Sequence, residues 1–155
     1  MLDSENACYT YFTEQCMRIR LFIKRFRSLY PEGRIVVPKM VEGESGQMHC
    51  LLLEEGAELM ANSWGIPEPV SEIKISEQEI DLVLVPLLIS DYYGNRVGYG
   101  KGFYDNFFTR CREDVIKCGL SLFEPVQELI ETDVWDVPLD ACVTPGGIQY
   151  YSNRK

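Results

Sequence analysis

The stretch DLVLVPLLISDYYGNRVGYGKGFYDNFF, residues 81–108, decides how this chain is read. Its opening, residues 81–88, is apolar almost without a break, which predicts a strand buried on both faces, as in a parallel sheet. A glycine-rich segment follows, and residues 101–111 then carry the pattern of a helix. That order places a ligand site at the C-terminal end of a central strand in an open α/β sheet. Gly98, Gly100 and Gly102 alternate, so the backbone can run close to a bulky anion and turn its N–H groups toward it. Arg96 and Lys101 supply the positive charge that phosphate oxygens require, and the helix starting near Lys101 adds its N-terminus. The spacing matches neither the P-loop nor the dinucleotide G-x-G-x-x-G pattern. A tight turn accounts for glycines alone equally well; the arginine, the lysine and a downstream aspartate make a phosphate site the better reading.

That aspartate, Asp105, reads either as a first-turn acid of the helix or as a Mg²⁺ ligand, since a nucleotide's metal takes one or two carboxylates beside the phosphates. Asp140, at the start of a later strand, is the natural second carboxylate, with Asp133 and Asp136 close by in sequence.

Working outward, residues 34–38, 48–53, 116–123, 139–144 and 148–151 read as further strands, the last at an edge. Residues 54–70 are expected to pass through a short helical turn into a loop punctuated by Gly65, Pro67 and Pro69. Upstream, Ile19, Phe22, Ile23 and Phe26 fall at helical spacing, and Pro31 and Gly33 end that helix. Strands separated by helical segments indicate a single three-layer α/β domain over residues 1–155, with a mostly parallel central sheet flanked by helices.

The chain has 155 residues, 46% hydrophobic and 25% charged, the profile of one soluble globular domain. No run approaches the roughly 20 apolar residues of a membrane span, and the start lacks an export signal, so a cytoplasmic protein is expected. A net charge of −9 disfavours a nucleic-acid partner. The charge is uneven, with seven basic residues and one acid over residues 17–40. This is either a solvated helix face or a positive wall for a phosphorylated ligand. Six scattered cysteines without a C-x-x-C pair, and a lone histidine, His49, argue for free thiols rather than disulfides or zinc.

The segment LVPLLISDYYGNRVGYGKGFYDNFF resembles the signature of the 5-formyltetrahydrofolate cyclo-ligase (5,10-methenyltetrahydrofolate synthetase) family. The likeness continues through IKCGLSLFEPVQELIETDVWDVPLDACVT, and NSWGIPEP resembles the loop which that family places beside its folate pocket. The resemblance implies a fold of the cyclo-ligase, NagB/RpiA-like type and an ATP- and Mg²⁺-dependent ligase. Its substrate is 5-formyltetrahydrofolate, converted to the 5,10-methenyl form through a phosphorylated formyl intermediate, with ADP and phosphate released. By position, Arg96, Val97, Gly98, Tyr99, Gly100, Lys101, Gly102, Phe103 and Tyr104 would line the ATP phosphates, with Lys101 and Arg96 as the catalytic cations. Tyr99, Gly100, Lys101, Gly102 and Phe103 would also touch folate, Trp64 would flank its pterin, and Asp105 and Asp140 would hold Mg²⁺. Two departures from the family pattern, Tyr99 at a variable position and Phe103 for a common tyrosine, keep the rings. The family's N-terminal helix, whose K-x-x-x-R-like motif clamps the ATP phosphates, is not matched here. Arg18, Arg20 or Lys24 could stand in for its charges, and Glu14 is the candidate for a folate-binding acid. A non-catalytic nucleotide- or folate-binding relative is the alternative, and monomer and homodimer are both open.

Overall fold

The computed structural model describes residues 21–40, 47–61, 67–100 and 102–151. In chain order its elements are helix α1 (over residues 21–29), β1 (Val36–Met40), β2 (Met48–Leu52), β3 (Leu59–Ala61), β4 (Pro67–Pro69) and β5 (Lys74–Ile75). A 3₁₀ turn (Glu77–Glu79), β6 (Leu82–Pro86), β7 (Ile89–Ser90), β8 (Arg96–Val97), α2 (Phe103–Phe108), β9 (Ile116–Leu120), β10 (Ala141–Thr144) and β11 (Gly147–Tyr150) follow. The chain divides into two compact units, one of Met1–Val37 with Leu52–Ser71, the other of Pro38–Leu51 with Glu72–Lys155.

In the first unit, α1 half-buries Ile23, Phe26 and Arg27. Phe22, expected on that stripe, is 45% exposed but stacks on Phe26 at 6.0 Å between ring centroids. Ile19 and the basic residues before it lie outside the described residues. Gly33 N–H donates to the Tyr30 carbonyl at 2.9 Å, closing the helix where Pro31 and Gly33 predict. The helical turn expected after residue 54 is replaced by a strand pair, β3 antiparallel to β4, with Leu59 opposite Pro69 and Ala61 opposite Pro67. The stretch is too short to sustain a helix of its own, Gly56 interrupts it, and Pro67 and Pro69 cannot donate the bonds a helix needs.

The second unit holds a four-stranded sheet in the order β11-β10-β9-β6. β6, β9 and β10 run parallel and β11 returns antiparallel, so the expected mostly parallel α/β sheet is present. A smaller sheet has the order β1-β2-β5, with β2 and β5 antiparallel. The core is built on Val85, Leu87, Leu139 and Cys142, each at 0% exposure, with Leu51, Phe107 and Val115 around them. The strand at residues 81–88 departs from expectation in two ways. Its burial alternates, Val83, Val85 and Leu87 inside against Leu82 at 42% and Leu88 at 39% exposed. Among the described residues it also ends the four-stranded order rather than occupying its centre. A continuous apolar run does not say how many of its faces are covered; the neighbouring elements do.

Helix is scarcer than the sequence suggests. The connection from β6 to β9 contains α2, but the one from β9 to β10 is irregular over residues 121–140, where six acids, Pro125 and Pro138 leave no apolar face of helical period. The strand expected to reach residue 123 stops at Leu120, because Ser121 Oγ accepts from Phe123 N–H (3.1 Å) and turns the chain. No helix among the described residues is long and apolar enough to cross a membrane.

Candidate functional site

The chain leaves β6 into a short hairpin, β7 against β8, with Ser90 opposite Arg96 and Ile89 opposite Val97. Its turn is organised by Asp91, a carboxylate with 0% exposure. Oδ1 accepts the backbone N–H of Tyr93 (2.8 Å) and of Asn95 (3.0 Å). Oδ2 accepts the Asn95 side-chain amide (2.7 Å) and the N–H of Ile130 (3.1 Å). Burial pushes this carboxyl up, but the Asn95 amide and the three backbone N–H groups outweigh it and hold the acid below its ordinary value. Val126 N–H also donates to the Ser90 carbonyl at 2.8 Å, so the segment 126–130 is laid along the hairpin. Asp91 went unassigned in the sequence, although an acid four residues before an asparagine, with Gly94 between, is the pattern of a side-chain-stabilised turn.

The hairpin delivers Arg96, whose side chain is 7% exposed, to Asp105 in the first turn of α2. Arg96 Nη2 meets Asp105 Oδ1 at 2.6 Å, and Nη1 donates to the Val137 carbonyl. Val137 N–H in turn donates to Asp105 Oδ1 at 3.0 Å, which closes a three-member ring of contacts. The guanidinium lies 5.7 Å above the Phe108 ring. Arg96 is thus taken up by partners within the fold, and its direct job is to hold Asp105 and the 137 loop together. Both contacts to Asp105 fall on Oδ1, so Oδ2 receives no hydrogen bond from a described residue.

At the glycines between Val97 and Phe103 the backbone is open. A Cβ added at Gly98, Gly100 or Gly102 would meet no described atom within 4 Å. Gly100 (φ +82°) and Gly102 (φ +61°) need glycine for their backbone angles. Gly98 does not, having neither a left-handed φ nor a crowded Cβ, so the fold itself does not explain its missing side chain. Gly98→Ala is therefore expected to melt with the parent, within about 0.5 kcal/mol, in a thermal unfolding scan. Tyr99 is 47% exposed, and burial pushes the Tyr104 phenol upward against the pull of Arg96. α2 spans six residues, so its N-terminus contributes a weaker field than the longer expected helix.

Asp140 lies just before β10, level with Lys117 in β9. Its Oδ2 accepts the Lys117 N–H (2.8 Å) and lies 3.1 Å from the Lys117 ammonium, with both side chains nearly buried. Asp105 and Asp140 therefore sit in two separate ion pairs. Among the described residues no group of three or more His, Cys, Asp or Glu side chains gathers as a metal site. Lys101, Trp64 and Glu14 lie outside the described residues. Cys50, Cys111, Cys118 and Cys142 are free thiols, as expected, and burial pushes Cys50 up to about 12, well away from nucleophilic character at neutral pH.

The sequence model of the 5-formyltetrahydrofolate cyclo-ligase family matches residues 21–145, which takes in the hairpin, the glycine segment and both ion pairs. The chain belongs to the 5-formyltetrahydrofolate cyclo-ligase family. It is 34% identical over 157 residues to the probable 5-formyltetrahydrofolate cyclo-ligase of Schizosaccharomyces pombe, covering 91% of this chain and 75% of that one. It is 28% identical over 118 residues to the 5-formyltetrahydrofolate cyclo-ligase of Escherichia coli, covering 74% of this chain and 65% of that one. The fold resembles the solved 5,10-methenyltetrahydrofolate synthetase of Aquifex aeolicus, with a TM-score of 0.65 and 29% identity over 84% of this chain and 66% of that one. These relatives are ligases by name, and the chain spans about two thirds of the length of the latter two.

Proposed function

We propose that this chain, as a single cytoplasmic cyclo-ligase domain, closes 5-formyltetrahydrofolate to 5,10-methenyltetrahydrofolate at the expense of ATP. The observation that carries this reading is the open backbone at Gly98, a glycine without a structural reason, inside the stretch that resembles the family signature. In the first step the formyl oxygen attacks the γ-phosphorus of ATP, and the bond to the ADP oxygen breaks. The N10 lone pair then attacks the formyl carbon, N10 loses its proton, and the C–O bond electrons leave with inorganic phosphate. The first step asks the protein for positioning and charge neutralisation rather than covalent chemistry.

In this reading residues 97–104 line the phosphates and the Lys101 ammonium meets the transferred phosphoryl group. Residues 99–103 face folate and Trp64 flanks the pterin. Asp105 suits a Mg²⁺ ligand, because its Oδ2 is open while Arg96 and Val137 fix the carboxylate through Oδ1. Asp140 suits the role with Lys117 as its orienting partner. Bound there, the metal would neutralise charge on the phosphate oxygens. Arg96 acts at one remove, by fixing Asp105.

The test is a spectrophotometric assay for the methenyl product, with purified protein, 5-formyltetrahydrofolate, Mg²⁺ and ATP. Product is expected to form only with ATP, and Lys101→Ala is expected to lower the rate about a hundredfold or more, the scale of one lost transition-state contact. Calorimetric binding of both ligands without any product would instead favour the non-catalytic relative. Failure of both to bind would sink the reading.

A further inference from the structure

We propose that Trp135 is a stacking platform for the planar nitrogen heterocycle of a ligand held at the glycine segment, either the adenine of ATP or the pterin of the folate. The inference rests on the cyclo-ligase reading above and deepens it. Val134 at 87% and Trp135 at 78% exposure are the two most exposed large apolar side chains among the described residues. An indole left in water on a frayed loop would call for no explanation. This one stands on a built turn. Asp133 N–H donates to Asp136 Oδ2 (2.7 Å), Asp136 N–H to the Asp133 carbonyl (3.1 Å) and Val134 N–H to Asp133 Oδ1 (3.2 Å).

Both flanks of that turn are fastened to the elements that carry the glycine segment. Upstream, Ile130 N–H donates to Asp91 in the hairpin turn. Downstream, Val137 joins Arg96 and Asp105, the residues at either end of the glycine segment, and Leu139 N–H donates to the Gly94 carbonyl at 2.9 Å. Two residues of chain span at most about 7 Å, so the Trp135 backbone stays within that reach of Val137. The turn therefore presents a large flat apolar face, on fixed backbone, beside a segment whose glycines leave room for a ligand. Stacking suits that geometry because every such ring offers a π-face.

Fluorine NMR of the full chain labelled with 5-fluorotryptophan tests this directly. The two tryptophan resonances are assigned with Trp64→Phe and Trp135→Phe. One arm is titrated with Mg²⁺ and ADP, the other with 5-formyltetrahydrofolate, and calorimetry on the same samples reports binding. The Trp135 resonance is expected to move in one arm, which names the ring. Trp135→Ala should weaken that ligand about tenfold, and Trp135→Phe should keep most of the affinity. A ligand that binds yet leaves the Trp135 resonance in place in both arms overturns the stacking role while the cyclo-ligase reading stands. Unchanged affinity in Trp135→Ala does the same. Absence of binding in both arms overturns the two together.

Discussion

Asp105→Ala is expected to reduce ATP-dependent formation of the methenyl product by about a hundred- to a thousandfold. Two losses coincide at this residue. The proposed Mg²⁺ ligand disappears, and the Arg96 guanidinium, 7% exposed, is left without its carboxylate partner while Val137 N–H loses its acceptor. Asp105→Asn separates them. The asparagine carbonyl can still accept from Arg96 and Val137, so the 137 loop stays in place, but a neutral amide is a poor ligand for a hard cation. Initial rates measured against Mg²⁺ should then show partial recovery at high Mg²⁺ in Asp105→Asn and none in Asp105→Ala. Equal rates for both variants and the parent at every Mg²⁺ concentration would remove Asp105 from the chemistry.

The second large effect falls on stability rather than on chemistry. Asp91→Ala strips the shared acceptor from four donors, the N–H groups of Tyr93, Asn95 and Ile130 and the Asn95 side-chain amide, at a site with 0% exposure. Several part-buried donors losing their acceptor set a cost of about 3 kcal/mol, readable as a lowered urea midpoint. The pH dependence has a defined sign. The folded-state pKa of Asp91 lies below its ordinary value, so its contribution is fully present above the unfolded carboxyl pKa and is lost as the pH falls through the folded one. Stability of the parent should therefore fall on acidification below the ordinary carboxylate range more steeply than that of Asp91→Ala. Parallel pH profiles for the two would refute the assignment.

The sequence by itself determined the kinds of element and most of their places. β2, β9, β10 and β11 fall within two or three residues of the runs read as strands, because strand-forming side chains and turn residues are local signals. It also exposed the glycine segment and its flanking charges, since backbone freedom and charge are carried by single residues. Where it erred, the competing information was not local. The pairing of β3 with β4 and the place of β6 at the end of its sheet depend on which neighbours arrive. The partners in the site were decided by the tertiary structure alone. Arg96 reads as a phosphate cation until Val137, 41 residues on, takes its guanidinium. Asp91 reads as an ordinary turn acid until Ile130, 39 residues on, completes its ring of donors. Asp140 shows its tie to Lys117 only when β9 and β10 come into register. A side chain's residue type fixes what it can bond, whereas its partner is whatever the packed chain sets within about 3 Å, and that follows from closing loops between residues far apart in sequence.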